Sequence, residues 1–527
     1  MRISILDLLS DTLLGGRAGR IYSIYFRKQF MAIMPQAVAA WCRALGHEVH
    51  YATYWGQVDP LTLIPGDAEV VFISSYTQSS ALAYALATAV KRRGALTVIG
   101  GPHARSFPTD CARFFDIVVR DCDRTLVDDI LRRRFDPPVI VTSGRPLTEF
   151  PSVEERMPEI RTAAFHRGRP VLSSVVPMLS SIGCPYTCGF CVDWNSQYVA
   201  LPAERLYADL DYLSRHHPKM VIAFHDPNFA VRFDETMDVL ARVPEGRRSR
   251  YIMESSLSIL KGERMARLTE SNCVYIAPGI ESWVDYSNKS GAGGRKGQEK
   301  LEKVVAQLQA LSHHVPGIQA NFLFGCDSDQ GEEPVELTNE FIRRLPQVWP
   351  TINIPSPFGG TPLYDELYRD RRILEAMPFA LYYNPYLAIT LKHYDTTTYY
   401  DHLIDMHEVL TSNAMLLRRL TTKAHPGVRF VHALRTLATR AELADFRGIR
   451  AMLGSNAQFR AFHEGRSNEL PAFYTQLLDK RLGRYAELLP PSARRPVLEP
   501  PAFPVEVART PAASARSVTI QPSLFAG

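Results

Sequence analysis

The feature that most constrains the fold is an alternation of strand-like and helix-like segments, which occurs in two separate blocks of the chain. In the first block, residues 1–145, runs rich in β-branched residues alternate with segments whose apolar residues recur every three or four positions. AEVVFISSY at 68–76 and ALTVIGG at 95–101 are two of these runs. Strands that alternate with helices form βαβ units and a mostly parallel sheet. The first block therefore predicts an α/β domain with a doubly wound parallel sheet.

The second block, residues 175–375, repeats the alternation with six strand-like runs, among them MVIAFHD at 220–226 and TINIPSP at 351–357. Six strands joined by helical or loop crossovers indicate a partial (β/α)6 barrel, and a second open sheet is the alternative. Residues 146–174 are rich in Pro and lack periodicity, which indicates a linker. Residues 376–489 predict a helical C-terminal region, and the Pro- and Ala-rich residues 490–527 predict a disordered tail.

The composition narrows the class of protein. Lys and Arg number 60 and Asp and Glu 55, so the net charge is only +5 over 527 residues. A nucleic-acid binder would concentrate basic residues on one face, so we expect no nucleic-acid partner. No apolar run reaches the roughly 18 residues of a membrane span. Because Asp7 and Asp11 interrupt any signal-peptide core, we expect a cytoplasmic protein without a leader.

The cysteines are distributed unevenly, with three of the eight at Cys184, Cys188 and Cys191 in the loop SSIGCPYTCGFCVDW. A disulfide framework would space them more evenly, so the pattern indicates a reducing compartment and one metal or cofactor site. Intervals of three and two residues let three thiolates converge on one centre. Because a closed zinc site needs four ligands, three local thiolates favour a cluster with an open metal position. A zinc site completed by a distant Cys or His is the alternative.

The cysteine loop resembles that of radical S-adenosylmethionine enzymes, because it matches the family's C-x3-C-x-aromatic-C motif with Phe190 in the aromatic position. The resemblance implies that Cys184, Cys188 and Cys191 hold a [4Fe-4S] cluster whose open iron binds S-adenosyl-L-methionine. In the family, the reduced cluster cleaves this cofactor to methionine and a 5′-deoxyadenosyl radical. The resemblance also implies an electron donor such as flavodoxin or ferredoxin as a partner.

Four later segments extend the resemblance to about residue 365. HDPNF at 225–229 resembles a strand end of the cobalamin-linked branch, and APGIES at 277–282 and FLFG at 322–325 resemble the ends of the fourth and fifth strands. PSPFGGTPLYDEL at 355–367 resembles the sixth, with one extra Gly, whereas GCDSDQGEE after the fifth strand departs from the family. The S-adenosylmethionine contacts that the resemblance implies are Phe190, Asp226, Asn228, Gly279, Glu281 and Ser282.

The first block resembles the cobalamin-binding domains of the same branch, chiefly at residues 70–108. Glycines permit close backbone approach, and a doubly wound sheet binds ligands beyond the carboxyl ends of its strands. The Asp-x-His-x-x-Gly motif that supplies an axial His is absent, as in many enzymes of this branch. A domain that keeps the fold without the corrinoid is the alternative. The cobalamin contacts that the resemblance implies are Ser74, Ser75, Gly100, Gly101 and His103.

Together these resemblances imply a radical S-adenosylmethionine enzyme that uses cobalamin to methylate a carbon of a small molecule or lipid precursor. A first alternative keeps the radical but oxidises, cyclises or rearranges the substrate without methyl transfer. A second alternative, from a different class, is a non-catalytic iron–sulfur or zinc protein.

We predict that replacing Cys184, Cys188 or Cys191 with Ala removes nearly all activity in each case, because a cluster that loses a thiolate does not keep its open iron in place. The variants should remain folded but contain little iron and form no 5′-deoxyadenosine, as measured by circular dichroism, iron analysis and chromatography. Cys42, Cys111, Cys122, Cys273 and Cys326 should behave as small apolar residues. Retained cleavage of S-adenosylmethionine in any of the three variants would contradict the assignment.

Overall fold

The structure is a computed structural model of the chain. It describes residues 1–12, 21, 23–25, 27–144, 147, 149–171, 173–194, 196–284, 288–292 and 294–501.

The N-terminal part contains a six-stranded parallel sheet with the strand order β2-β1-β3-β4-β5-β6. This order confirms the predicted doubly wound sheet, and it reverses between β1 and β3, where such sheets bind their ligands. The strands are β1 (Arg2–Leu8), β2 (Glu48–Tyr54), β3 (Val70–Ser75), β4 (Leu96–Gly100), β5 (Ile117–Val119) and β6 (Val139–Val141). The helices are α1 (Ile33–Ala44), α2 (Ser80–Lys91), α3 (Pro102–Ser106), α4 (Pro108–Ala112) and α5 (Arg124–Leu131).

The segment predicted as a linker is packed between the two sheets. It forms α6 (Met157–Ala164) and a small antiparallel pair, β7 (Phe165–His166) and β8 (Arg169–Pro170). The buried Arg156 precedes α6 and donates to Gln36 Oε1 at 2.8 Å and to the Pro177 carbonyl at 3.0 Å. Since Gln36 lies on α1 and Pro177 on the first strand of the second sheet, one guanidinium connects both parts of the chain.

The second sheet is also parallel, and its six strands are adjacent in chain order. After β9 (Val175–Met178), a short antiparallel pair, β10 (Ser181–Ile182) and β11 (Val199–Ala200), flanks the cysteine loop. The edge strands do not pair with each other, so the sheet is open, and its curvature into a partial barrel stays a prediction. The other strands are β12 (Val221–Phe224), β13 (Tyr251–Ser255), β14 (Cys273–Glu281), β15 (Gly317–Leu323) and β16 (Val348–Asn353). Its helices are α7 (Ala203–His216), α8 (Phe233–Ala241), α9 (Arg264–Glu270), α10 (Gly297–Leu311) and α11 (Glu333–Arg344).

The remainder of the described chain is helical, as predicted. Its helices are α12 (Pro362–Arg369), α13 (Thr396–Thr411), α14 (Asn413–Thr421), α15 (Pro426–Ser455), α16 (Ala457–His463), α17 (Ala472–Leu482) and α18 (Pro491–Arg494). Short 3-10 turns occur at Arg27–Gln29, Pro60–Leu63, Thr77–Ser79, Glu245–Arg247, Asn288–Ser290, Phe379–Leu381 and Gly483–Leu488. None of the helices described is long and apolar enough to cross a bilayer.

Residues 490–501, the beginning of the segment predicted as a disordered tail, are ordered against the N-terminal part. Val497 N donates to Asp110 Oδ1 at 2.9 Å, and the buried Glu499 carboxylate accepts from Thr109 N at 2.6 Å. Tyr364 on α12 donates to the Glu499 carbonyl at 2.8 Å. These polar contacts hold a segment that lacks hydrophobic periodicity. The rest of the predicted tail lies outside the described residues.

The two sheets share a hydrophobic core. On β1, Ile3 and Ile5 belong to the cluster that continues into the second sheet, whereas Leu6 and Leu8 pack with α2 on the other face. Alternate residues of a strand point to opposite faces, so β1 is apolar on both. The shared cluster fixes the position of the N-terminal sheet relative to the cysteine loop.

Candidate functional site

The cysteine loop follows the first strand of the second sheet, at the carboxyl ends of the parallel strands. Gly183 begins it with φ +71°, and a Cβ there would lie 2.2 Å from the Gln197 carbonyl oxygen. This backbone angle is unfavourable for any residue with a Cβ, so Gly is needed for the chain at 183 and at 197 to approach so closely. Cys184 and Cys188 are buried and Cys191 is half-buried, which places the three thiols beneath the surface of one short turn.

The three thiols and two charged side chains act on one another electrostatically. Burial raises the pKa of Cys188 to about 11, Lys289 opposes this rise, and Glu281 and the other two cysteines add to it. For Lys289, burial lowers the pKa, but the three thiols and Glu281 outweigh burial and the pKa is raised. The three thiols, Glu281 and Lys289 therefore lie close enough to influence one another's pKa values.

The donor set fits a multinuclear iron–sulfur cluster. No group of three His, Cys, Asp or Glu side chains within the described ranges has the geometry to hold one metal ion. A cubane cluster binds its three thiolates on three different irons, so its ligands are farther apart than those of a single ion. Two buried thiols and one half-buried thiol in a loop of this spacing are the kind of donor set that such a cluster binds.

A hydroxyl cluster connects the cysteine loop to the ends of two strands. Tyr186 Oη lies 2.7 Å from Ser258 Oγ and 3.2 Å from Ser256 Oγ, both in the segment after β13. Ser258 N donates to the Lys289 carbonyl at 3.1 Å, which fixes the turn that carries the ammonium group. The position of Lys289 near the thiols thus depends on three separate segments of the chain.

The segment after β16 closes the other side of the loop. Trp194 Nε1 donates to the Gly360 carbonyl at 2.6 Å, and Leu363 N donates to the Gly189 carbonyl at 2.9 Å. The extra Gly of this segment is Gly359, where a Cβ would lie 2.0 Å from the Ser106 carbonyl oxygen. Gly is needed at this position because a side chain would prevent the backbone at Ser106, which follows the N-terminal sheet, from contacting this segment.

The segment after β4 contacts the cysteine loop directly. Arg105 on α3 donates from Nη1 to Asp193 Oδ1 at 2.8 Å and from Nη2 to Ser196 Oγ at 3.2 Å. A charge-assisted pair of this kind is shorter and stronger than a neutral hydrogen bond. It holds the predicted cobalamin edge next to the predicted cluster loop.

Two of the predicted S-adenosylmethionine contacts lie at the end of β12. Asp226 is buried and accepts from Ser180 Oγ and Ser181 Oγ, each at 2.6 Å, so its carboxylate orients the chain that leads into the cysteine loop. Burial raises the pKa of Asp226, and these hydrogen bonds oppose the rise. Asn228 is buried too, and its Nδ2 has no hydrogen-bond partner among the residues described. Phe190 lies half-buried in the loop itself.

The remaining predicted contacts meet at the end of β14. Glu281 has φ +65°, and a Cβ on Gly279 would lie 2.1 Å from Glu281 Oε1, so the carboxylate occupies the space beside that Gly. Burial raises the pKa of Glu281 to about 7, while Lys289 and Lys300 lower it. Ser282 donates to Asp329 Oδ1 at 2.6 Å and is engaged within the protein.

Three polar residues of this site were missed by the sequence analysis: Lys289, Glu254 and Asp329. Glu254 on β13 is exposed, but crowding by the surrounding protein raises its pKa, and Lys289 opposes this rise. A charged residue at the end of a parallel strand was the signal for it. Asp329 accepts from the Gly325 and Cys326 amides, and it lies in the segment that departs from the family. Lys289 lies in a turn without a pattern that could have revealed it.

At the N-terminal sheet, four of the five predicted cobalamin residues meet at the carboxyl ends of β3 and β4. Gly101 has φ +96°, and a Cβ there would lie 3.0 Å from the Ser75 carbonyl oxygen and 3.1 Å from Ser74 Oγ. Gly100 pairs with Ser74 in the sheet. The result is a close-packed backbone edge at the carboxyl ends of β3 and β4, which is where doubly wound sheets bind their ligands.

Asp7 lies at the end of β1, next to the point where the strand order reverses. Its Oδ2 accepts from Ala32 N at 2.9 Å, and its Oδ1 is buried without a hydrogen-bond partner in the described chain. Burial raises the pKa of Asp7 to about 7, and the Ala32 amide opposes this rise. In the sequence, Asp7 is notable only as a charge that interrupts a signal-peptide core, so its place at this edge was not predicted.

His103, the fifth predicted cobalamin residue, has a fully buried ring. Its Nε2 lies 2.6 Å from Tyr84 Oη, which donates to Asp110 Oδ2 at 2.7 Å, so the ring acts as a donor to the Tyr oxygen. Burial lowers the pKa of His103 to about 3 and keeps it neutral. The ring as placed stabilises the core, and its contact with cobalamin stays a prediction.

No protein-family profile matches the chain. The bacteriochlorophyllide d C-8(2)-methyltransferase of Chlorobaculum tepidum is 26% identical over 378 residues, which cover 67% of this chain and 80% of that protein. The hopanoid C-2 methylase of Rhodopseudomonas palustris is 26% identical over 204 residues, 37% of this chain and 38% of that protein.

Among solved structures, the radical S-adenosylmethionine methyltransferase TsrM from Kitasatospora setae, with cobalamin and a [4Fe-4S] cluster bound, has a TM-score of 0.54. It is 12% identical, and the match covers 85% of this chain and 99% of that chain. The resemblance to cobalamin-linked radical S-adenosylmethionine enzymes is confirmed. The curated relatives support the prediction of an enzyme, and the fold of the TsrM structure covers most of this chain.

We predict that Gly183→Ala disrupts the cluster loop, whereas Gly189→Ala does not. Ala at 183 combines a disfavoured positive φ with a clash against the Gln197 backbone, and such substitutions destabilise locally by about 1 kcal/mol or more. Ala at 189 meets only Pro362 Cβ, at 3.6 Å. Iron per chain after anaerobic reconstitution should fall severalfold in the first variant and stay near wild type in the second.

Circular dichroism should show that both Gly variants are folded. Equal iron contents in the two variants would contradict the role assigned to the close approach at Gly183.

Proposed function

We propose that the chain is a radical S-adenosylmethionine, cobalamin-dependent C-methyltransferase that acts on a small molecule or lipid precursor. The observation that carries the proposal is the Arg105 contact with Asp193 and Ser196. It brings the edge of the N-terminal sheet against the cysteine loop. An enzyme that joins radical formation to methyl transfer needs both cofactor sites beside one substrate, and this contact supplies that arrangement.

In this proposal the three cysteines hold the [4Fe-4S] cluster. Residues at the strand ends of the second sheet hold S-adenosylmethionine, and residues at the strand ends of the N-terminal sheet hold cobalamin. When bound, the cluster and S-adenosylmethionine supply a 5′-deoxyadenosyl radical for hydrogen abstraction, and cobalamin supplies a methyl group. The residues for S-adenosylmethionine are Phe190, Asp226, Asn228, Gly279, Glu281 and Ser282. Those for cobalamin are Ser74, Ser75, Gly100 and Gly101, with His103 behind them in the core.

In this proposal, different side chains of the site bind the carboxylate and the ammonium group of S-adenosylmethionine. Lys289 lies near the three thiols and Glu281. In this proposal its ammonium group binds the carboxylate of the amino-acid group. Glu281 and Glu254 place carboxylates on the neighbouring strand ends, where they bind an ammonium group. Lys300 donates to the Ser282 carbonyl at 2.5 Å and the Val284 carbonyl at 3.0 Å, which fixes the end of β14.

The names of the relatives support a carbon atom of an apolar molecule as the methyl acceptor, since one acts on a bacteriochlorophyllide and another on a hopanoid. An external reductant such as flavodoxin or ferredoxin completes the proposal, because formation of the radical consumes an electron.

The test of the proposed function is anaerobic reconstitution of the full chain with iron, sulfide and hydroxocobalamin, followed by incubation with S-adenosylmethionine, a reductant and candidate substrates. We expect bound corrinoid in the absorption spectrum and formation of both S-adenosylhomocysteine and 5′-deoxyadenosine. 5′-Deoxyadenosine without S-adenosylhomocysteine would instead indicate radical chemistry without methyl transfer. Anaerobically purified chain with zinc and no iron would contradict the proposal.

A second prediction concerns Lys289. Lys289→Met should raise the KM for S-adenosylmethionine about tenfold or more, since a charge-assisted hydrogen bond is worth about 1.5–3 kcal/mol. Lys289→Arg keeps the charge and should restore much of the affinity. Lys296→Met removes an exposed lysine from the adjacent segment and serves as the control. An unchanged KM in Lys289→Met, with normal iron content, would refute the assigned role.

A further inference from the structure

A stripe of large apolar side chains is exposed on the helices α14 and α15. Leu417 and Phe430 are the most exposed, at 63% and 62%. On α15 the positions recur at intervals of three and four residues, so they lie on one face of the helix. We call this set the apolar stripe; it comprises Leu417, Leu420, Phe430, Val431, Leu434 and Leu437.

The two helices present the stripe on the side away from their mutual contact. Arg419 is buried between them and donates to the Leu410 carbonyl at 2.9 Å and to Thr436 Oγ1. Arg429 donates to the Leu420 carbonyl at 3.3 Å. The inner face is therefore fixed by hydrogen bonds, and the outer stripe belongs to a rigid helix pair.

The stripe lies in a strongly basic segment. Residues 413–441 contain no Asp or Glu and six cations, Arg418, Arg419, Lys423, Arg429, Arg435 and Arg440. No ion pair of the described chain involves any of them. Arg419 and Arg435 point inward, and Arg440 donates to the Thr411 carbonyl and Asn413 Oδ1. Arg418, Lys423 and Arg429 remain around the stripe without an ion pair among the described residues.

The stripe is on the side of the second sheet opposite to the cysteine loop. Arg435 on α15 donates to Tyr275 Oη and Gln319 Oε1, both at 2.9 Å, and stacks over Trp349. These three residues lie near the amino ends of β14, β15 and β16, whereas the cysteine loop lies at the carboxyl ends. A partner bound to the stripe leaves the candidate active site accessible.

We propose that the apolar stripe and its basic rim bind the headgroup region of an anionic lipid bilayer. Exposed apolar patches mark interaction sites, and a helix face with apolar residues flanked by Lys and Arg binds at membrane interfaces. Anionic headgroups supply the charge that the rim lacks, with each Lys or Arg near the surface adding attraction. A second copy of the chain would instead bring two acid-free basic faces together, which like charges oppose.

The test is flotation of the full chain with vesicles of phosphatidylcholine alone or phosphatidylcholine mixed with phosphatidylglycerol. We expect binding to the anionic vesicles, weakened by salt, and little binding to the neutral ones. Arg418→Glu with Lys423→Glu should weaken binding more than tenfold, since each cation near the surface contributes about fivefold. Phe430→Ser with Leu434→Ser should weaken it at least tenfold through lost apolar burial, on the order of the transfer free energy of two large side chains.

A matched control reverses two exposed cations elsewhere, Arg92→Glu with Lys219→Glu, and should leave vesicle binding unchanged. Thermal unfolding should be unaltered in all variants because every changed side chain is at the surface. Binding equal to the control in both stripe variants would overturn the proposal. A different combination of results would also overturn it: the wild-type chain does not bind anionic vesicles, and light scattering shows that it is a dimer. In that case only the stripe variants would be monomers.

Discussion

The carboxyl edges of two parallel sheets meet at the cysteine loop, and the arrangement of the whole site depends on that contact. Arg105 bonds the loop from the N-terminal side, and Gly359 admits the Ser106 backbone from the same direction. The hydrophobic core that both sheets share, on one face of β1, fixes their positions relative to each other. Because parallel strands direct their carboxyl ends to one edge, the two proposed cofactor sites lie at the two edges that this contact brings together.

Electrostatics around the cysteine loop set the requirements of the site. The three cysteine thiols and Glu281 raise the pKa of Lys289, and Lys289 in turn lowers the pKa of Glu281 and of Glu254. Burial raises the pKa of both carboxyl groups, because a charged form loses hydration there. In the proposed enzyme, the cluster and the zwitterionic cofactor supply the positive charge that compensates these groups. At the N-terminal sheet, burial also raises the pKa of Asp7, and one oxygen of its carboxyl group has no hydrogen-bond partner in the described chain.

Residues with similar sequence signals acquired different roles through packing. Gly101 and His103 belong to one short motif, yet Gly101 stays at the strand edge and the His103 ring is buried against Phe107 and Phe379. Asp226 and Glu281 both end strands, yet Asp226 accepts from two serines, whereas Glu281 lies in the charged centre. In each case the chemical type is visible in the sequence, and the surrounding elements decide which atoms remain available.

By itself, the sequence determined the two αβ blocks, the helical C-terminal region and the cysteine loop, because periodicity and short spacings are local properties of the chain. It also placed Ser74, Gly101 and Glu281 at strand ends. Only the tertiary structure brought Lys289 to the thiols, since that turn lies about 100 residues from the loop. Likewise, residues 490–501 lack a local pattern and are ordered by contacts with Thr109, Asp110 and Tyr364. Long-range contacts of this kind depend on which surfaces the packed sheets present, and no window of sequence contains that information.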